Sequence, residues 1–370
     1  MPSILFLFNS GAIQLRCHII QKFIKEGYAV KCILPESEIA LWKTKIPAVE
    51  WVPCQVFSGT SMGLLNNIKM LLGLYRLLKK EKPDIVFLGN VKPNIYAGIA
   101  ARLLGIKGIY GLVSGLGYAF IDEPGLKRKV AKWICMKLYQ LSFSGFSQVF
   151  FQNRDDADFF IQKRLIKPDL VTVVPGTGVD LEAFKPKPLP ANLTFFMAAR
   201  LIREKGVFHF VEAAKELKKK YPEVRFILGG GLDTNPSAMT EAELKHCSNV
   251  VNYIGYCKDM EGQINASSVF VYPSYYREGV PRSLLEALVC ARPVITTDSV
   301  GCKETVIDGQ NGFKIVPRST EALISAMERI IQNPSLLEAM GQESRHLAEK
   351  RFDIHAVNEL MFQTVKQTHS

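Results

Sequence analysis

At 370 residues, with 48% hydrophobic and 22% charged side chains, the chain is too long for one ordinary core and too apolar for disorder, which leaves a globular protein of two domains. Its net charge of +11 is uneven: residues 1–180 hold 23 Lys and Arg against 13 Asp and Glu, whereas residues 181–370 hold 23 against 22. A basic first half suits an anionic membrane, a phosphorylated substrate or nucleic acid, but no interleaved aromatic and Arg-rich module supports the last, so no nucleic-acid partner is expected.

The opening, MPSILFLFNSG, has no basic leader and only a short apolar run, so Ile4–Phe8 reads as a buried first strand rather than a signal peptide. The turn Asn9–Ala12 leads to a helix over Leu15–Lys25, ended by Gly27, and a strand over Ala29–Leu34. A long helix over about 63–80 follows, then strand Asp84–Leu88, loop Gly89–Pro93, helix Ile95–Leu104 and strand Gly108–Val113. After loop 114–125 come helix Leu126–Phe143, strand Gln148–Phe151, helix Asp155–Lys163 and strand Leu170–Val174. This alternation predicts a doubly wound parallel sheet, whose ligands bind at the loops after the strand ends: Asn9–Gly11, Gly89–Pro93 and 114–118. Pro175–Pro190, with four prolines and two glycines, is the best linker candidate.

A second series then begins with strand Leu193–Met197, helix Val207–Lys220, strand Val224–Leu228, helix Thr240–His246 and strand Val250–Tyr253. It continues through helix Met260–Ala266, strand Val269–Tyr272, helix Arg282–Ala291 and strands Pro293–Thr296 and Gly312–Ile315. Helices Thr320–Ile331, Ser335–Lys350 and Ile354–Lys366 close the chain. The expected domains are 1–180 on the acceptor side, 181–352 for the nucleotide, and a helix over 353–370 packing back on the first. The eight cysteines show no C-x-x-C and read as buried thiols in a reducing compartment. No apolar run reaches ~18 residues, so no spanning helix is expected, and the expected location is cytoplasmic with membrane-surface contact.

Residues 275–293, YYREGVPRSLLEALVCARP, hold the chemistry-bearing pattern. Glu278 precedes a helix and Glu286 lies about two turns into it. Pro281 suits the first helical position, which would leave the amides of Arg282, Ser283 and Leu284 open to an anion. A capped helix with one surface acid explains the same letters. Arg200 and Lys205 follow a strand end and suit phosphate oxygens, although an exposed basic loop would look alike. Gly255, in YIGYCKD, would let a planar ring approach the backbone, or simply make a turn.

Together these residues carry a resemblance. EGVPRSLLEAL with its E-x7-E spacing, the strand followed by RLIREKG, the YIGYCKD loop and VPGTGVDLEAF resemble the retaining glycosyltransferases of family 4. In the first half, GLVSGLGYAFID is similar to a subgroup that builds bacterial lipid-linked glycans, including N-acetylhexosaminyltransferases acting on undecaprenyl-diphosphate sugars. The resemblance implies an α/β chain of the GT-B fold, two facing Rossmann-like domains with an interdomain cleft. It implies that Glu278, with Gly279 and Val280, binds the donor sugar, that Glu286 accepts from the ribose hydroxyls, and that Arg200 and Lys205 neutralise the departing diphosphate. It also implies that the Ser283 and Leu284 amides assist, that Gly11 lets the donor approach from the first domain, and that Gly255, Tyr256 and Cys257 hold the base edge. The expected substrates are a UDP-sugar and a lipid-diphosphate-linked saccharide, with the enzyme peripheral on the inner face of the cell membrane.

Asp156 and Asp158 have the D-x-D spacing of metal-dependent transferases, but they stand at a helix start where acids complement the dipole, so neither metal nor other cofactor is expected. Many family members carry a His in the loop after strand Gly108–Val113; here it reads Val113-Ser114-Gly115-Leu116-Gly117. His18 reads as a helix-surface residue, which leaves no obvious protein base. Asn90, Lys92 and Ser114 are the acceptor-side candidates, with Lys92 equally well a solvated lysine. In helix Leu126–Phe143, Leu126, Val130, Trp133, Ile134, Leu138 and Leu141 form one stripe, assigned to the sheet, while basic residues off it are expected to meet anionic lipid. The competing readings are a UDP-sugar epimerase or phosphorylase on the same scaffold, a nucleic-acid-binding protein, and an inactive membrane scaffold.

Overall fold

The structure is a computed structural model and describes residues 1–9, 11–54, 64–116, 120, 126–233, 235 and 237–369. The rest of loop 114–125 therefore lies outside the described residues. The chain divides into two compact units, Met1–Thr177 with His355–Ser370, and Gly178–Ile354.

The first unit is built on seven parallel strands: β1 (Ser3–Leu7), β2 (Ala29–Leu34), β3 (Glu50–Pro53), β4 (Ile85–Gly89), β5 (Gly108–Val113), β6 (Gln148–Phe151) and β7 (Val171–Val173). Their order is β3-β2-β1-β4-β5-β6-β7, so the winding reverses between β1 and β4. Strands β4, β5 and β6 are buried throughout, as continuous apolar runs in a sheet covered on both faces must be. One face is covered by α3 (Leu64–Glu81), α4 (Gly98–Leu103), α5 (Leu126–Phe143) and α6 (Arg154–Gln162) through Leu74, Ala100, Tyr139, Phe143 and Phe160. The other face is covered by α1 (Cys17–Lys25), α2 (Glu36–Lys45) and α13 (Ile354–His369) through Ile20, Phe23, Trp42, Met361 and Phe362.

Sequence reading passes over α2 and β3. In α2 the apolar residues Ile39, Ala40, Leu41 and Trp42 are consecutive, so no helical stripe forms, and Trp42 alone is buried. Ahead of α4, residues Pro93–Ala97 form a π turn instead of part of an ordinary helix. Ser142 Oγ donates to the Asn94 carbonyl (2.6 Å), and the Gly98 N–H reaches back to Pro93. An inserted side chain is a known cause of such a break. The largest correction concerns α5. Most of its apolar stripe does not lie on the sheet: Tyr139, Ser142 and Phe143 are buried and Leu138 is half-buried against the core, while Leu126, Val130, Trp133, Ile134 and Leu141 face solvent.

The second unit has six parallel strands: β8 (Thr194–Ala198), β9 (Arg225–Gly229), β10 (Asn252–Tyr253), β11 (Val269–Tyr272), β12 (Val294–Thr297) and β13 (Gly312–Ile315). The order β10-β9-β8-β11-β12-β13 places the reversal between β8 and β11. Helices α7 (Val207–Lys220), α8 (Glu241–His246), α9 (Met260–Asn265), α10 (Arg282–Val289), α11 (Thr320–Gln332) and α12 (Leu336–Arg351) pack around it. The Pro-rich stretch 175–190 is not a loose tether. Val179 N–H donates to Phe352 (2.8 Å) and Ile354 N–H to Val179 (3.1 Å), so the outgoing and returning chain segments are paired. The Arg292 side chain, 1% exposed, donates to the Lys187 carbonyl (2.9 Å) and fastens the linker's end to the second unit.

Candidate functional site

The two loops at the second unit's reversal point are those after β8 and β11. In an open α/β sheet this is where ligands bind, because the loops diverge there and leave a crevice. After β8, a short turn over Arg203–Lys205 ends at Gly206, with φ +79°. A Cβ there would meet the Pro273 carbonyl oxygen at 2.2 Å, so only glycine lets the two loops come this close. Buried Glu204 locks the arrangement. Its Oε2 accepts from Ser237 Oγ (2.6 Å), and its carbonyl accepts from the Tyr275 N–H (2.9 Å).

This packing aims Lys205 at Glu278. Lys205 Nζ lies 2.6 Å from Glu278 Oε2 and 2.7 Å from Tyr272 Oη, and Tyr272 Oη in turn donates to Glu278 Oε1 (3.2 Å). Ser274 Oγ stands 3.2 Å from the same carboxylate oxygen. The Lys205 side chain is 6% exposed and that of Glu278 17%. Burial, with the Glu278 charge adding to it, pushes the Tyr272 phenol well above its ordinary pKa, so it stays a neutral donor. An ammonium has three N–H donors, and two are engaged here. Arg200 is half-exposed, 3.4 Å from Asp233 Oδ2, with its guanidinium 5.6 Å from the Tyr276 ring centre. Lys205 lies 5.1 Å from the same ring, so Tyr276 carries both cations.

Helix α10 begins at Arg282, as the expected span has it. Pro281 is the N-cap, in an extended conformation, and not the first helical residue. The Leu284 amide is not open to a ligand either: it donates to the Pro281 carbonyl at 3.2 Å. An anion at this end would therefore meet the Arg282 and Ser283 amides, which have no hydrogen-bond acceptor among the described residues. Glu286 is buried one turn further on, with Oε1 2.7 Å from Arg282 Nε. Burial raises its carboxyl pKa, opposed by Arg282.

A carboxyl whose folded pKa is raised is stabilised by folding at low pH, and that contribution is lost as pH rises through the folded value. Glu286→Gln is therefore expected to raise Tm at about pH 7–8 and to change it little near pH 4, where the unfolded-state carboxyl is itself largely protonated. Thermal melts across that range check the sign.

The Gly255 loop joins the same sheet end. Gly255, at φ +69°, accepts the Gly230 N–H through its carbonyl (2.8 Å), and a Cβ there would meet nothing within 4 Å. Tyr256 is 75% exposed, while Cys257 packs against the core cluster to which Leu284 and Leu285 belong. Gly279 and Val280 link Glu278 to the helix cap, and Val280 is buried.

The first unit has its own reversal point. There Asn9 N–H donates to Asn90 Oδ1 (3.2 Å), and Asn90 Nδ2 lies 3.5 Å from Ser114 Oγ. Gln152 follows Phe151 at the end of β6, next to Ser114 in register. Asn9, Asn90, Ser114 and Gln152 thus cross the carboxyl ends of four adjacent strands, β1-β4-β5-β6. Among the described residues, Asn9 Oδ1, an acceptor, and Gln152 Nε2, a donor, are buried without a partner. A row that presents one of each suits a ligand rich in hydroxyls. Gly11, at φ +78°, belongs to this unit's first loop, and Lys92 caps the π turn.

The structure thus groups Arg200, Lys205, Glu278, Gly279, Ser283 and Glu286 around one sheet end, and Asn90 with Ser114 around another. Tyr272, Ser274, Tyr276, Asn9 and Gln152 escape motif reading. The strand-end rule already pointed at the Asn9 loop; Tyr272 and Gln152 could have been found by the same rule applied to β11 and β6. Asp156 and Asp158 are used locally. The Asp156 N–H is capped by Asn153 (2.8 Å), and Asp158 Oδ1 meets Arg154 Nε at 2.9 Å. The ring of His18 packs edge-on to that of His355 at 5.8 Å.

Two doubly wound parallel sheets are the architecture of the GT-B class, and the second carries a paired Lys and Glu at its reversal point beside an open helix N-terminus. Residues 180–347 match the family glycosyl transferases group 1, and residues 3–153 the family glycosyl transferase 4-like. The chain belongs to these glycosyltransferases. It is 29% identical over 347 residues, 90% of either chain, to the N,N'-diacetylbacillosaminyl-diphospho-undecaprenol alpha-1,3-N-acetylgalactosaminyltransferase of Campylobacter jejuni. It is 28% identical over 312 residues, 80% of this chain and 78% of the relative, to the UDP-Gal:alpha-D-GlcNAc-diphosphoundecaprenol alpha-1,3-galactosyltransferase of Escherichia coli. Among solved structures, Anabaena HepE in complex with UDP superposes with a TM-score of 0.78 at 19% identity, over 99% of this chain and all of that one, a likeness of fold.

Proposed function

We propose that the enzyme transfers an N-acetylhexosamine, such as N-acetylgalactosamine or N-acetylglucosamine, from a UDP-sugar to an undecaprenyl-diphosphate-linked saccharide in the assembly of a bacterial surface or glycoprotein glycan. The observation that carries this reading is Lys205 held at 2.6 Å from Glu278 at the second unit's reversal point. Breaking a glycosyl–phosphate bond leaves negative charge on the diphosphate. Lys205, Arg200 and the Arg282 and Ser283 amides supply fixed positive charge for it, and a preorganised donor costs no reorganisation as that charge develops. Glu278 would hold the sugar hydroxyls and Glu286 the ribose.

We take the transfer to be retaining and metal-independent. With no His in Val113-Ser114-Gly115-Leu116-Gly117, the leaving phosphate itself would accept the acceptor hydroxyl's proton on the same face of the sugar. The new glycosidic bond forms as the glycosyl–phosphate bond breaks, and the proton leaves with UDP. Incubation with individual UDP-sugars and a synthetic lipid-diphosphate saccharide tests this. The expected product is the acceptor saccharide extended by one α-linked sugar, formed at an unchanged rate in excess EDTA. Turnover of the UDP-sugar that needs no acceptor would favour an epimerase or phosphorylase instead.

The acceptor is assigned to the polar row of the first unit. Gln152→Met removes a donor that has no partner among the described residues, so stability should hold or rise. The acceptor KM should rise about tenfold, equivalent to ~1.4 kcal/mol, with the donor KM unchanged. Steady-state kinetics in each substrate separately reads the split. Because the lipid acceptor resides in a membrane and the first unit carries 24 Lys and Arg against 13 Asp and Glu, we place the enzyme peripherally on the inner face of the cell membrane.

A further inference from the structure

Two helices of the first unit turn large apolar side chains toward solvent. On α5, Leu126, Val130, Trp133, Ile134 and Leu141 are 46–78% exposed; on α3, Leu65, Ile68 and Leu72 are 46–74% exposed. At 3.6 residues per turn each set forms one stripe, opposite the side its own helix buries. For α5 the buried side is Tyr139, Ser142 and Phe143, and for α3 it is Met70, Leu74 and Leu78. Helix α4 packs against both, and its exposed Leu103 continues the apolar surface. All three helices form one layer over the same sheet face, so the two stripes share one side of the unit. Contiguous exposed apolar surface of this kind is uncommon on a soluble protein and marks a contact surface.

Among the described residues of the two helices, every charge but that of Glu81 is basic. Helix α5 has five basic residues and no acid, and Lys129 and Lys137 are exposed. On α3, the exposed Lys69, Arg76, Lys79 and Lys80 fall on the same side as Leu65, Ile68 and Leu72. Its one acid, Glu81, is already held by Lys31 at 2.8 Å. This sign decides the occupant. A second copy of the chain docking through the same face would set these cations against one another. An anionic bilayer accepts both features: apolar side chains enter the acyl boundary, and lysine stems lie along it with their ammonium groups among the phosphates. Among the described residues no helix is long and apolar enough to cross a membrane, so this contact lies on the surface.

We propose that the outward face of α3 and α5 is a docking surface for an anionic lipid bilayer, with Trp133 and Ile134 as its apolar anchors and Lys69, Lys129 and Lys137 among its headgroup contacts. It rests on the proposed function only in that the lipid-linked acceptor would lie in the same bilayer.

Vesicle co-sedimentation tests it. The full chain is expected to bind vesicles containing phosphatidylglycerol at least about tenfold more tightly than phosphatidylcholine vesicles, and to lose that binding as salt rises. Trp133→Ser with Ile134→Ser, and separately Lys129→Glu with Lys137→Glu, should each reduce the binding about tenfold or more. These side chains are exposed, so circular dichroism and Tm should match the parent. Equal affinity for neutral vesicles, or unchanged binding in both variants, overturns the proposal. So does a stable dimer in light scattering that Trp133→Ser dissociates, since a second copy would then own the face. Transfer to a short-chain, water-soluble acceptor should be unaffected in both variants. If no sugar transfer occurs while vesicle binding behaves as expected, the catalytic reading fails and the docking surface stands.

Discussion

Replacing Lys205 with methionine is expected to lower kcat for sugar transfer by roughly 10²–10³-fold, the cost typical of removing one preorganised donor from a developing oxyanion. The reason lies in where the ammonium sits. Lys205 is buried against Tyr272 and Glu278, so bulk water cannot replace its charge when it is lost. Arg200 cannot move in as a substitute, because it lies on the Tyr276 ring with Asp233 at 3.4 Å. The loss should fall on kcat more than on the donor KM, since the diphosphate gains charge as the bond breaks. Glu278→Gln should reduce turnover comparably, by weakening the hold on the sugar hydroxyls and releasing Lys205. Methionine also leaves the largely buried Glu278 carboxylate without its ion pair, so Lys205→Met should lower Tm as well. The double variant Lys205→Met, Glu278→Gln separates the two effects: it should regain stability and remain inactive. A rate within a few-fold of the parent in either single variant would remove both residues from the site.

Arg292→Leu is expected to destabilise the second unit by about 4 kcal/mol, the largest stability effect of a single substitution proposed for this chain. The guanidinium is 1% exposed and donates to the carbonyls of Ser267 (2.8 Å), Asn265 (2.9 Å), Cys290 (2.9 Å) and Lys187 (2.9 Å). Leucine fills part of the space and satisfies none of those acceptors. Each orphaned buried carbonyl costs on the order of 1 kcal/mol or more, offset in part because a charge need no longer be buried. For a unit of this size a loss of ~4 kcal/mol corresponds to a Tm lower by roughly 8–16 °C. Scanning calorimetry reads this, and the transition of the second unit should shift more than that of the first. Arg292→Lys should recover little of it, because one ammonium cannot span the carbonyls a planar fork reaches.

Motif reading found Arg292 only as the last basic residue of YYREGVPRSLLEALVCARP. Its role could not be read there, because all its hydrogen-bond partners except Asn265 Oδ1 are backbone carbonyls, which carry no side-chain signal. Tyr272 is similar: in sequence it is the last apolar letter of a strand, and in the structure it bridges Lys205 and Glu278. The helix mouth at Ser283 was anticipated with one amide too many. Whether Leu284 N–H stays open depends on the ψ of Pro281, at 125°, which turns the proline carbonyl toward the amide. Hydrophobic periodicity identified the stripe on α5 correctly and its direction wrongly. Periodicity reports which residues share a side of a helix. It does not report which side a neighbouring element covers.

The sequence by itself determined the alternation of strands and helices, the two-part α/β architecture, the family, and the residues Lys205, Glu278 and Glu286 as candidates for the donor. Those features are local: buried parallel strands need continuous apolar runs, and turns and helix mouths need Gly and Pro at set positions. Only the tertiary structure decided which residues meet. Lys205 and Glu278 are 73 positions apart, and Asn9 and Asn90 are 81 apart. Strand order closes both distances, because the winding reverses between β8 and β11 and again between β1 and β4. The same packing covered one side of α3 and α5 and left apolar and basic side chains on the other, for a bilayer to meet.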